Sequence, residues 1–191
     1  MSTAEKRNVT PAEYLAEERV AAFKSEYYQG EVFAMVGASR RHNLITSNLV
    51  RWIHTQLDGR RCEVYASDMR VKVSPTGLYT YPDIAVVCDS PEFEDGELDT
   101  LLNPNVIIEV LSESTEAYDR GAKFEQYRRL DSLREYVLIA QDRVHIEHFA
   151  RDDKDCWVLS ETTEIASKLE LPSISCTLDV QDIYARVEFG E

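Results

Sequence analysis

The sequence predicts an α/β domain built on a mixed β-sheet, and three features carry that expectation. A long helix is expected over residues 39–57, where Ile45, Leu49, Trp52, Ile53 and Leu57 recur at three and four. The runs 84–88 and 105–111 are almost wholly apolar, the pattern of strands covered on both faces. A helical stretch over 118–130 lies between that second run and a strand at 135–140, which fits a right-handed crossover joining parallel strands. The 191 residues suit one domain spanning 1–191, with its core at about 39–140.

The remaining elements follow in order. Thr10-Pro11-Ala12-Glu13 starts a short helix, with Thr as cap, Pro at the first helical position and Glu closing a capping box. Residues 26–36 read as a hairpin turning at Gln29-Gly30. Gly59 stops the long helix. Strands at 62–66, 69–73 and 83–88 come next, with a turn at Ser74-Pro75-Thr76-Gly77, and their short links favour antiparallel pairing. An acidic loop over 89–102 precedes the apolar strand 105–111. After 135–140, strands at 143–150 and 156–161 are joined by a polar turn. A short strand at 169–171 and a helical turn after Asp179 close the chain.

Composition narrows the function classes. Hydrophobic residues make up 43% and charged residues 29%, enough apolar surface for a core and too much for a disordered chain. No apolar run is long enough to span a bilayer, and no apolar segment follows residues 1–7, so neither a membrane partner nor a secretory signal is expected. Cys62, Cys88, Cys156 and Cys176 lack CxxC spacing and read as free thiols of a reduced, cytoplasmic protein, with Cys62 and Cys88 as small buried hydrophobes.

The net charge of -14 argues against a protein that coats nucleic acid without specificity. That charge is uneven. Residues 40–72 hold seven basic and three acidic side chains, and 73–118 hold ten acidic and no basic ones. The two helices are the basic segments, through Arg40, Arg41 and Arg51 on the first and Arg120, Lys123, Arg128 and Arg129 on the second. A solvated helix face explains these cations as well as a nucleic-acid contact does.

Two carboxylates stand out by position. Asp83 opens an apolar strand after Pro82, and Glu109 sits inside Val106-Ile107-Ile108-Glu109-Val110-Leu111. A carboxylate in such a run costs several kcal/mol unless it is paired or bound to a cation. For Asp83 the plain alternative is a strand-start residue, and for Glu109 a salt bridge at a sheet edge. Lys123 shares a helical stripe with Tyr127 and Leu130, so it either snorkels to water or points at the two acids. Two carboxylates and a lysine suit metal-assisted phosphodiester hydrolysis, in which hard oxygens hold Mg²⁺ and the ammonium attends the attacking water. Glu26 and His42 are supporting candidates, as an outer metal ligand and a substrate or carboxylate contact. Asp119 reads as a helix cap. His145 and His148 point to opposite faces of their strand and build no shared metal site.

The stretch Tyr81-Pro82-Asp83-Ile84-Ala85-Val86-Val87, followed by Ile108-Glu109-Val110-Leu111-Ser112-Glu113-Ser114-Thr115, resembles the Uma-two family of restriction-endonuclease-like proteins. The continuation Asp119-Arg120-Gly121-Ala122-Lys123-Phe124-Glu125-Gln126-Tyr127 and then Arg134-Glu135-Tyr136-Val137-Leu138 resembles it too. So do Glu26-Tyr27-Tyr28-Gln29-Gly30-Glu31, His42 near a helix start, and Ser67-Asp68-Met69-Arg70-Val71. That family is placed in the PD-(D/E)XK nuclease superfamily. The resemblance implies a restriction-endonuclease-like mixed β-sheet core (helix, three-stranded meander, helix, strand), with an N-terminal helix and hairpin and C-terminal antiparallel strands.

It further implies an Mg²⁺- or Mn²⁺-dependent endonuclease acting on DNA, with Asp83 and Glu109 as metal ligands. The superfamily lysine two residues after the second acid is Leu111 here, and the resemblance moves its role to Lys123. Cutting both strands of a duplex calls for a homodimer. A catalytically inactive binding or regulatory module on the same fold is the second reading, favoured by Leu111 and by the acidity.

Overall fold

The computed structural model describes residues 8–189, so the stretch 1–7 read for a secretory signal lies outside the described residues. Helix α1 (Pro11–Glu18) begins with the expected capping box: Glu13 N donates to Thr10 Oγ1, and the Thr10 backbone N–H donates back to the Glu13 carboxylate. Strands β1 (Ser25–Tyr28) and β2 (Glu31–Ala34) pair antiparallel through Gln29-Gly30, both at positive φ. Gly30 is required there twice over, because a Cβ would also lie 1.6 Å from Asn8 Oδ1. Helix α2 (Arg40–Leu57) is capped by Ser39 and buries Ile45, Leu49, Ile53 and Leu57, the stripe its periodicity announces.

Strands β3 (Cys62–Ala66), β4 (Arg70–Val73), β5 (Leu78–Thr80), β6 (Ile84–Cys88), β7 (Thr100–Leu101) and β8 (Val106–Leu111) follow. The crossover helix has three parts: α3 (Glu116–Tyr118), a π-helical turn (Asp119–Lys123) and α4 (Phe124–Tyr127). Then come β9 (Glu135–Ala140), β10 (Ile146–Arg151), β11 (Trp157–Thr162), β12 (Lys168–Leu171), β13 (Cys176–Asp179) and a last turn, α5 (Val180–Ile183).

The principal sheet has the order β11-β10-β9-β8-β6-β3. Strands β3, β6 and β8 form an antiparallel meander, and β8 pairs with β9 in parallel across the crossover helix. This is the expected helix, meander, helix, strand core, with one change of membership. Residues 69–73, expected beside 62–66, leave this sheet. They pair with β5 and β7, and β5 pairs with β1, giving a second sheet of order β2-β1-β5-β4-β7. The β4–β5 hairpin is therefore an excursion inside the meander that reaches the N-terminal hairpin.

The principal sheet is covered on both faces. Ile84, Val86, Ile108, Val110, Val137 and Ile139 pack against the α2 stripe and the C-terminal strands. The alternate residues Ala85, Val87, Ile107, Leu111, Tyr136 and Leu138 pack against Tyr127, Leu130, Leu133 and the β4–β5 hairpin. The cysteine expectation is corrected here. Cys62 and Cys88 are not free: their Cα atoms face each other at 4.0 Å in the β3–β6 register, and the two sulfurs are bonded. Cys156 and Cys176 remain free thiols. Among the described residues no helix is long and apolar enough to cross a membrane.

Candidate active site

The β6–β8 register sets Ile84 opposite Ile108, and this brings Asp83 beside Glu109. The two acids are laced together by main-chain donors: Val110 N donates to Asp83 Oδ2 at 2.7 Å, and Asp83 N donates to Glu109 Oε2 at 3.3 Å. Along β8, Ile108 and Val110 face α2, so Glu109 faces the crossover helix. Lys123 and Tyr127 come down from that helix one turn apart. The Lys123 Nζ lies 2.8 Å from Glu109 Oε1, and the Tyr127 hydroxyl donates to the same oxygen at 3.0 Å. Lys123 is 5% exposed, so it does not snorkel.

The departure at Leu111 is explained by the same parity. Glu109 and Leu111 share the face that the crossover helix covers, and Leu111 is buried in the apolar cluster beneath it. A lysine lowered from the helix reaches the acids from the side that a lysine at 111 would have occupied.

Both supporting candidates join the cluster. His42, in the first turn of α2, places Nε2 3.0 Å from Asp83 Oδ2. Glu26, on β1, reaches 3.4 Å from Lys123 Nζ, and it accepts hydrogen bonds from Thr80 Oγ1 and, at 3.3 Å, from the Tyr118 hydroxyl. The β1–β5 pairing beside Thr80 is what carries Glu26 there. The cap expected at Asp119 is corrected. Thr115 is the N-cap, and Asp119 lies inside the helical segment, 3% exposed, with Oδ1 3.5 Å from Lys123 Nζ. Helical spacing from Lys123 was the signal that could have found it, since positions i and i+4 share a face.

Burial dominates the electrostatics. It pushes the Glu109 carboxyl up to about 8, with Asp119 and Asp83 adding to the rise and Lys123 opposing it. Burial raises Asp119 as well. For Lys123 burial works against the charge, yet Glu109, Glu26 and Asp119 together outweigh it and hold the ammonium well above the ordinary lysine range.

A divalent ion suits this donor set in one specific way. Among the described residues, the Val110 hydrogen bond and the His42 ion pair of the Asp83 carboxylate both fall on Oδ2, and Oδ1 carries neither. Among the described residues no group of three or more His, Cys, Asp or Glu is arranged to hold a metal ion. Two carboxylates completed by water and substrate oxygens is a Mg²⁺ habit, and Asp83 with Glu109 would supply such a pair.

Of the helix cations, Arg40 and Arg41 stand beside Gln141 and Phe189 at the start of α2, and Arg51 lies over the Trp52 ring. Arg120 instead pairs with Glu116 at 2.6 Å and Glu147 at 2.8 Å.

A mixed sheet flanked by helices, with acids from two adjacent strands met by a lysine from the crossover helix, defines a nuclease-fold protein. The chain belongs to the Uma2 family, described as "Putative restriction endonuclease", whose model matches residues 11–181. It is 38% identical over 161 residues to the uncharacterized protein sll1609 of Synechocystis sp., covering 84% of this chain and 91% of that one. It is 35% identical over 181 residues to the uncharacterized protein slr1290 of the same organism, covering 95% and 94%. In fold it matches the crystal structure of a "putative nuclease belonging to DUF820" from Anabaena variabilis, with a TM-score of 0.76, 18% identity, and 94% and 99% of the two chains covered.

Proposed function

We propose that the protein is a metal-dependent endonuclease that hydrolyses phosphodiester bonds of DNA and acts as a homodimer. The observation that carries this reading is that Glu109 is contacted by both Asp83 and Lys123, three groups brought together from separate elements. Asp83 and Glu109 would hold Mg²⁺ or Mn²⁺, which when bound lowers the pKa of a coordinated water and offsets charge on the phosphate. The chain's own groups do the rest. His42 and the Val110 N–H orient Asp83, the Tyr127 hydroxyl orients Glu109, and the Lys123 ammonium attends the attacking water. The test is cleavage of plasmid and single-stranded substrates by the purified chain with and without either metal. No cleavage under any of these conditions would sink the reading.

The second reading, a catalytically inactive binding or regulatory module, is favoured by the Lys123–Glu109 contact, because that carboxylate already has a cation at 2.8 Å. Metal titration by calorimetry separates the two, since an inactive module need not bind an ion at Asp83 and Glu109.

The raised Glu109 carboxyl gives that titration a pH signature. Burial favours the protonated carboxyl, so an ion bound there competes with protons and its binding is expected to release them. Apparent affinity is expected to climb with pH, by up to about tenfold per unit. Calorimetry in two buffers of different ionisation enthalpy reads the released proton directly. For Lys123→Met, cleavage is expected to fall by about 10²–10³-fold, the scale of losing one placed charge in a water-poor site. Single-turnover kinetics at saturating metal checks it.

A further inference from the structure

A lysine on a helix has a long stem and several ways to leave a site, so something must hold its ammonium. The Glu109 contact is not enough under the proposed function, because the same carboxylate is asked to hold a metal ion. Asp119 is the group placed to do it. It stands one turn before Lys123 on the crossover helix, with Oδ1 3.5 Å from Nζ. Its backbone carbonyl accepts the Tyr136 hydroxyl at 3.0 Å, which ties this turn to β9 in the principal sheet. The helix changes to π geometry over just the five residues from Asp119 to Lys123, a local irregularity that functional sites often carry.

A carboxylate 3% exposed is costly unless a cation answers it, and Lys123 is the cation paired with Asp119 among the described residues. Besides Lys123, the Asp119 side chain is steadied by Thr115. Glu26 reaches the same ammonium at 3.4 Å.

We infer that Asp119 is a positioning residue that acts through Lys123, keeping the ammonium beside the Asp83–Glu109 pair. Its effect on rate rests on the nuclease reading; the hold on the lysine does not. A lysine at strand position 111 would be aimed by the strand itself. One carried on a helix needs a socket, and Asp119 and Glu26 line it.

The experiment is a double-mutant cycle with Asp119→Asn and Lys123→Met in the full chain, read in two ways. In plasmid cleavage with Mg²⁺, Asp119→Asn is expected to lower kcat by about 30- to 100-fold with KM changed less than about threefold, the scale of misplacing one reacting group. In the Lys123→Met background the same substitution is expected to cost less than about twofold, because its route of action is gone. Losses that multiply in the double variant, or an Asp119→Asn enzyme that cuts like wild type, overturn the inference.

The second readout needs no activity. Trace acetylation resolved by mass spectrometry is expected to show Lys123 labelled at least about threefold faster in Asp119→Asn, with Lys24, Lys72 and Lys154 unchanged. Unchanged Lys123 labelling overturns the inference. Faster labelling of every lysine would mean a loosened fold, and Asp119→Glu then decides: it keeps the charge and is expected to keep Lys123 protected. Equal labelling of Lys123 in the two variants counts against the inference. A wild-type chain that cuts no substrate defeats the nuclease reading alone, and the labelling result then stands by itself.

Discussion

Asp83→Asn is expected to reduce DNA cleavage by about 10³-fold or more while leaving the fold intact. The substitution is isosteric, and an amide oxygen can still accept from Val110 N, the 2.7 Å bond that fixes the side chain against β8. What disappears is the negative charge that faces His42 and would hold the metal ion. Two measurements check it. Plasmid nicking at saturating Mg²⁺ should fall to background, and the calorimetric signal of metal binding should weaken together with it. Cleavage that survives would remove Asp83 from the mechanism, whatever the fate of Glu109.

Arg70→Ala is expected to cost about 3 kcal/mol of stability, the scale for opening a buried charge network and leaving a cavity. Arg70 is 2% exposed. Its Nε donates to Thr100 Oγ1 at 2.9 Å, its Nη1 to the Tyr81 hydroxyl at 2.8 Å, and Nη2 lies 3.0 Å from Asp99. The guanidinium also lies over the Tyr14 and Tyr81 rings. For a chain of this length the loss should lower Tm by roughly 6–12 °C in calorimetry. A shift under about 2 °C would mean that Arg19, which holds Asp99 at 2.8 Å, suffices alone.

The same network has a pH sign. The hydrogen bond from Arg19 comes first, and with Arg70 it holds the Asp99 carboxyl well below the usual range. A depressed carboxyl stabilises the fold above its unfolded value, near 4, and that contribution is lost as the pH falls further. Acid melts of Arg70→Ala should therefore lie closer to wild type than neutral melts do.

The parts of the centre that sequence patterns reveal are those with a local cost attached. Glu109 shows because a charge inside an apolar strand is an anomaly, and Lys123 because it shares a stripe with Tyr127 and Leu130, all three of which are buried. The α2 stripe and the capping box at Thr10 are equally local and equally legible. The second sheet is not. Strand β5 is only Leu78–Thr80, buried at every position, so it shows no alternation, and its pairing with β1 spans about fifty residues of sequence. Residues 69–73 look like a meander strand because their own pattern cannot say which neighbour they choose. Asp119 was hidden by a plausible local role, since an aspartate near a helix start usually caps it. The Cys62–Cys88 bond depends on a β3–β6 register that only the assembled sheet fixes.

The excursion of β4 and β5 out of the meander has a consequence for the order in which the molecule is built. Glu26 is synthesised early, yet its place against Lys123 exists only once β5 has paired with β1 and the crossover helix has been laid over β8. The His42–Asp83 and Asp83–Glu109 contacts also join separate elements, whereas Lys123 meets Glu109 within one strand-to-helix unit. A chain emerging from the ribosome must reach β9 before the parallel β8–β9 pairing can close beneath the crossover helix. The centre is therefore complete only when the N-terminal hairpin, the meander and the crossover helix have all come together.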